Sequence, residues 1–134
     1  MKLTYLTLSN ASAALNEIVS QQMNYRTSLK ISKNIKAVQA ALTDYQEEMN
    51  KLMDKYVEKD ENGNFVHTED NPGFYKLIPE TAADFSRDRD ELNHFEVETE
   101  IYKISPEEME QIKISPSAIV SMEFMIGTSE EERN

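Results

Sequence analysis

Apolar and aromatic residues recur at Ile31, Ile35, Val38, Leu42, Tyr45, Met49, Leu52 and Tyr56, in alternating steps of four and three. Such spacing holds one narrow stripe of an α-helix against a partner helix, as in a coiled coil. Neither glycine nor proline interrupts it, and at about 1.5 Å per residue the seam runs roughly 40 Å. The pattern predicts one long helix over 28–58, with Thr27 available as its cap.

Leu3 to Leu8 alternates and is rich in β-formers, which predicts a strand over 3–8. Ser9 and Asn10 then precede a helical stripe of Ala11, Ala14, Leu15, Ile18 and Val19, predicting a helix over 11–23. So short a break before the long helix favours antiparallel packing of the two. Asn62-Gly63 is a turn signal, and residues 59–79 read as turn and loop, with His67–Gly73 a mobile polar excursion. Thr81-Ala82-Ala83-Asp84 has the form of a capping box and opens a helix over 81–94, which can fold back on the far end of the long one.

Phe95 to Ile101 alternates strictly, with Glu96, Glu98 and Glu100 on one face. It predicts a strand over 95–104 whose natural partner is the N-terminal strand. A short internal repeat follows. Ile104-Ser105-Pro106 and Ile114-Ser115-Pro116 each place serine at a helix cap and proline at the first helical position. They open two short helices within 106–126, the second burying Ile119, Met122 and Ile126. Residues 127–134 read as a flexible acidic tail. The expected architecture is a single α+β domain over 1–134, mostly helical. A long heptad-patterned helix sits in an antiparallel hairpin or bundle, beside a small sheet of the two strands.

Charge changes the picture of partners. Residues 1–56 carry seven Lys/Arg and five Asp/Glu, whereas 57–134 carry seven and twenty, within a net charge of −11. The acidic second half would repel backbone phosphates, which argues against direct nucleic-acid binding. Arg26, Lys30, Lys33 and Lys36 open the long helix with no acid among them. They form either a solvated face or a docking strip for an acidic partner, the chain's own second half included. The glutamate face of the second strand is likewise either solvated or a contact for a basic partner. There are no cysteines, no basic-then-apolar leader at Met1–Tyr5, and no run of about 18 apolar residues. An intracellular protein without a membrane span is expected.

Candidate chemistry is sparse. The histidines are His67 and His94, and Asp90 one turn before His94 suits a surface pair better than a metal edge. A calcium loop beginning at Asp60 fails, because Phe65 stands where glycine is required and Asn71 where a bidentate glutamate is required. No glycine-rich phosphate loop or nucleophile elbow can be assembled. No catalytic residue, metal ligand or cofactor is expected. Met49, Met53, Met109 and Met122 suit core filling, Met53 also an adaptable binding surface.

The opening Met1-Lys2-Leu3-Thr4-Tyr5-Leu6-Thr7-Leu8, the alanine-rich helix, the heptad helix, the Lys59–Asn64 turn and the Ile114-Ser115-Pro116 corner together resemble a family of short uncharacterised proteins encoded by phages and prophages of Gram-positive bacteria. The resemblance implies a viral origin and a host-cytoplasm or virion location, and it carries over no functional residues. With the seam, it leads to the expectation of a non-enzymatic interaction or assembly protein. Such a protein would bind a host or viral protein, or a second copy as a homodimer. An acidic decoy imitating nucleic acid is the alternative, and a metal-assisted enzyme built on His94 and Asp90 a third.

Overall fold

The computed structural model describes residues 1–71 and 73–127. The chain is mostly helical, with a two-stranded antiparallel sheet. Its elements are β1 (Lys2–Thr4), α1 (Tyr5–Ile18), α2 (Tyr25–Tyr56), α3 (Ala82–Asn93), β2 (Glu96–Glu98), α4 (Pro106–Met109) and α5 (Pro116–Met122), followed by a 3₁₀ turn over Glu123–Met125. One domain is expected from the sequence, but the chain divides into two compact units, residues 1–43 with 95–134, and residues 44–94. The tail beyond Gly127 lies outside the described residues.

In the larger unit, the expected strand over 3–8 is cut to Lys2–Thr4, and the first helix begins at Tyr5, not near residue 11. The Thr4 hydroxyl accepts the Thr7 N–H at 3.1 Å, which caps the helix there. Tyr5, Leu8, Ala11, Leu15 and Ile18 then form one buried face at helical spacing, which outweighs the short β alternation. The sheet pairs Leu3 with Val97 and Thr4 with Glu96, so the expected partnership of the two strands holds. The second strand is three residues long, not ten: the register is antiparallel and Glu98 already faces Lys2, the first residue of β1, so residues 99–104 have no strand residue opposite them.

Helix α1 packs chiefly on α5, where the sequence reading has it against α2. Ala11, Ala14 and Ala118 are buried in this region, and small residues let two helices approach closely. Both Ile-Ser-Pro corners form as expected. Ser105 completes its capping box with Glu108, while Ser115 accepts from the Ala118 N–H. The second corner has alanine where the first has Glu108, and Glu17 of α1 supplies the missing carboxylate. It accepts from the Ser115 N–H and hydroxyl, both at 2.9 Å. The helix opened by this corner ends at Met122 and continues as the 3₁₀ turn. It buries Ala118, Met122 and Met125, whereas Ile119, expected inside, is 42% exposed. The buried face runs through Ala118 and Met122, four residues apart, so Ile119, one residue on from Ala118, falls outside it.

Helix α2 starts at Tyr25. Its cap is Asn24, whose side chain accepts the Thr27 N–H at 2.9 Å, and Thr27 is a buried helical residue. In the smaller unit, the stretch 59–79 holds more structure than a loop. The Glu58 N–H donates to the Lys76 carbonyl, Lys76 N–H to the Val66 carbonyl, and Val66 N–H to the Glu58 carbonyl. Three segments are thereby closed into one cycle, flanked by bridges Val57–Leu77, Lys59–Phe65 and His67–Tyr75. Gly63 turns the first connection at φ +82°, a conformation that suits glycine. The capping box expected at Thr81 does not form; its hydroxyl donates to the Ile78 carbonyl at 2.6 Å. Tyr56 reaches Asp88 by its hydroxyl and Phe85 by ring contact, while Tyr45 reaches Asn93.

Candidate functional site

The seam residues Ile31, Ile35, Val38, Leu42, Tyr45, Met49, Leu52 and Tyr56 are all at least half covered, and Ile31, Val38 and Tyr56 are buried. Ile31 to Leu42 belong to the larger unit and Tyr45 to Tyr56 to the smaller. Met53, the methionine with a binding-surface alternative, is 9% exposed and belongs to the core.

Two polar residues beside the seam escape the sequence reading. Asn34 is completely buried, and its amide behaves as a strand would: Oδ1 accepts the Tyr102 N–H at 2.8 Å and Nδ2 donates to the Tyr102 carbonyl at 3.0 Å. Thr27, also fully buried, donates to Glu108 at 3.0 Å and accepts from Gln111 at 3.0 Å. Their only sequence signal is position: Thr27, Ile31, Asn34 and Val38 stand four, three and four residues apart.

Glu108 is the centre of a small network. It accepts from Lys30 Nζ at 2.7 Å, the Ser105 N–H at 3.0 Å and the Thr27 hydroxyl. Burial by itself would raise its carboxyl. The Lys30 ammonium and the Ser105 and Thr27 donors outweigh that and hold it down at about 2. Of the four cations at the start of α2, Lys30 is therefore engaged within the chain, whereas Arg26, Lys33 and Lys36 are exposed. An open cleft of about 760 Å³ borders this network, lined by Arg26, Lys30, Glu100, Tyr102, Lys103 and Glu108 among others. Its inner charges are committed, Lys30 to Glu108 and Lys103 to the Phe124 carbonyl at 2.7 Å. Glu96, Glu98 and Glu100 are exposed, with Glu98 2.6 Å from the Met1 amine.

The candidate chemistry of the smaller unit is spent on structure. His94 Nδ1 lies 2.8 Å from the Asp90 backbone carbonyl at the end of α3, so the ring meets the main chain instead of the Asp90 carboxylate. His67 stacks on Tyr75, with centroids 4.6 Å apart. Asp60 accepts the N–H groups of Asn62 and Asn64 at 2.9 and 3.0 Å, the arrangement of an Asx turn. Among the described residues, no group of three His, Asp or Glu side chains is placed to hold a metal ion, and no helix is long and apolar enough to cross a membrane.

Helix α2 keeps exposed residues in each unit. In the larger unit Tyr25 (81% exposed), Arg26, Leu29, Lys33, Lys36 and Ala40 are exposed, a cationic set, and in the smaller unit Asp44, Glu47, Lys51 and Asp54 are, a largely anionic one. The smaller unit as a whole carries fourteen Asp/Glu and six Lys/Arg, a net −8 in residues 44–94. Neither a family model, nor a curated protein, nor a solved structure matches this chain.

Proposed function

We propose that this chain is a non-enzymatic, phage-encoded interaction protein that docks through the surface of its long helix onto another protein. The observation that carries the reading is the exposed cationic face of α2 in the larger unit, formed by Arg26, Lys33 and Lys36. A long helix exposing a charge-patterned face selects partners by electrostatic complementarity, which favours specificity and fast encounter. Helical-hairpin or coiled-coil contact with a host or viral protein in the host cytoplasm, or in the virion, is the setting that the family resemblance suggests.

The test is capture from lysate of infected and uninfected host cells, with wild-type protein and with Lys33→Glu/Lys36→Glu. Partners retained by the wild type are expected to be lost from the double variant. Equal retention by both would remove α2 as the docking face.

The net −8 of residues 44–94 favours a second reading, an acidic decoy that occupies a nucleic-acid-binding enzyme of the host. On that reading a captured enzyme is displaced by added duplex DNA, and binding weakens steeply as salt rises. Indifference to both rules the decoy out.

A further inference from the structure

The β1–β2 ladder leads into an edge with no strand beside it. The Phe95 carbonyl accepts the Tyr5 N–H at 3.2 Å, and past Glu98 the Thr99 N–H still donates to the Met1 carbonyl at 2.8 Å, so odd-numbered residues turn their backbone groups toward the β1 side. Even-numbered ones turn the other way. Tyr102 meets the Asn34 amide with both of its groups, the Ile104 N–H donates to the Met125 carbonyl at 2.7 Å, and the Ile104 carbonyl accepts the Gly127 N–H at 2.8 Å. Burial alternates in step: Thr99 and Ile101 are buried, Glu100 and Tyr102 exposed. This period of two marks an extended chain over residues 99–104. Ile101 and Lys103 therefore present their backbone groups on the β1 side, beyond the Met1–Thr99 bond. Among the described residues those N–H and carbonyl groups have no partner. A strand edge with donors and acceptors left in register is a template for one more strand.

Ile101 and Lys103 also line the cleft beside the start of α2, which lies wholly within the larger unit. The cleft carries Arg26, Lys30 and Lys103 against Glu100 and Glu108, a positive balance in a chain of net −11. Lys30 and Glu108 neutralise each other, whereas Lys103 is bonded to the uncharged Phe124 carbonyl. Arg26 is exposed and, among the described residues, has no ion pair. A guanidinium with free donors takes a carboxylate through two parallel N–H···O bonds. We propose that this edge binds an extended acidic peptide of a partner protein, which continues the line of β1 along Ile101–Lys103 and sets a carboxylate on Arg26. Main-chain bonds supply the affinity, and the carboxylate supplies the choice of partner. The proposal rests on the cationic start of α2 being the docking surface, and names the form in which a partner reaches it.

The probe is the blocked peptide acetyl-Val-Glu-Val-Glu-Val-Thr-amide, titrated into the nitrogen-15-labelled full chain. In the free protein the Ile101 and Lys103 amides are expected to exchange with solvent ahead of those of Thr99, Tyr102 and Ile104, which are bonded. The peptide is expected to shift the resonances of Ile101 and Lys103 and to slow their exchange. Arg26→Glu is expected to weaken binding about tenfold, and Arg26→Lys by less, because lysine keeps the charge without the paired donors. Arg26 is exposed, and unchanged circular dichroism checks that the fold persists. Two control peptides are expected not to bind: one N-methylated at alternate residues, which removes the main-chain bonds, and one with lysine in place of glutamate. Absence of protection at Ile101 and Lys103 with millimolar peptide, or binding of either control as tight as that of the probe, overturns the inference. If the peptide fails while a lysate partner is still lost from Lys33→Glu/Lys36→Glu, the docking reading stands without this edge. Protection by the peptide, with equal lysate retention by wild type and double variant, upholds the edge and removes that reading.

Discussion

Replacing Asn34 by leucine is expected to destabilise the protein by about 4 kcal/mol, the largest effect of any single substitution considered. Leucine fills a similar volume, so the loss is not a cavity. The wild-type amide satisfies the N–H and carbonyl of Tyr102 at 2.8 and 3.0 Å, and its second amide proton faces Met125 Sδ at 3.6 Å. With leucine, two backbone groups lose their partner, and each buried orphan costs on the order of 1–3 kcal/mol. Urea unfolding followed by circular dichroism measures the change; a loss below about 1 kcal/mol would show that water or a backbone shift satisfies Tyr102. Asn34→Asp refines the test. The carboxylate can still accept from the Tyr102 N–H but faces its carbonyl without a donor. Protonation restores the donor, so the deficit relative to wild type should narrow as pH falls.

The second expected result concerns Glu108 and acid stability. Its carboxyl is lowered from 4.5 to about 2. A carboxylate depressed by folding contributes stability that is complete above its unfolded value and is lost as pH falls through its folded value, here between about 4.5 and 2. A displacement of that size corresponds to about 3 kcal/mol; with Lys30 still 22% exposed to water, about 2 kcal/mol is the expected contribution at neutral pH. Glu108→Gln isolates the charge, because glutamine can still close the capping box on Ser105. The variant should be less stable than wild type at pH 7, and the two should converge toward pH 2. Asp88 and Glu98 are also held low, by the Tyr56 hydroxyl and the Met1 amine respectively, so part of the acid slope persists in the variant. Parallel curves with a constant offset would mean that Glu108 acts through packing instead of charge.

Both residues tie α2 to the segment after β2 in the larger unit, Asn34 through Tyr102 and Lys30 and Thr27 through Glu108. Contacts of some 70 to 80 residues in sequence separation are set by a single amide and a single carboxylate. Lys30 alone among the four leading cations is thereby engaged within the chain, while Arg26, Lys33 and Lys36 stay exposed.

Where one local rule acts without a competitor, the sequence by itself determined the structure. The Ile-Ser-Pro corners are settled by a hydroxyl cap and a missing N–H within four residues. The long helix is settled by thirty-two residues without glycine or proline. The meeting of Lys2–Thr4 with Glu96–Glu98 follows from two alternating segments in a chain that is otherwise helical. Tertiary structure decided whatever depends on neighbours distant in sequence. Leu3 to Leu8 satisfies a strand and a helix equally well as a pattern, and only the burial of Tyr5 and Leu8 together with Ile18 selects the helix. Glu17 completes the cap of Ser115 across 98 residues, a partnership that no local spacing encodes. The seam was legible as a covered stripe, but its division at Thr43 was not, because periodicity specifies which face is buried and not what buries it. The run of cations that opens α2 was plain in the sequence, but only the tertiary structure separates Lys30, claimed by Glu108, from Arg26, Lys33 and Lys36, which stay exposed, since a charge can recognise a partner only where no fold of its own chain has already claimed it.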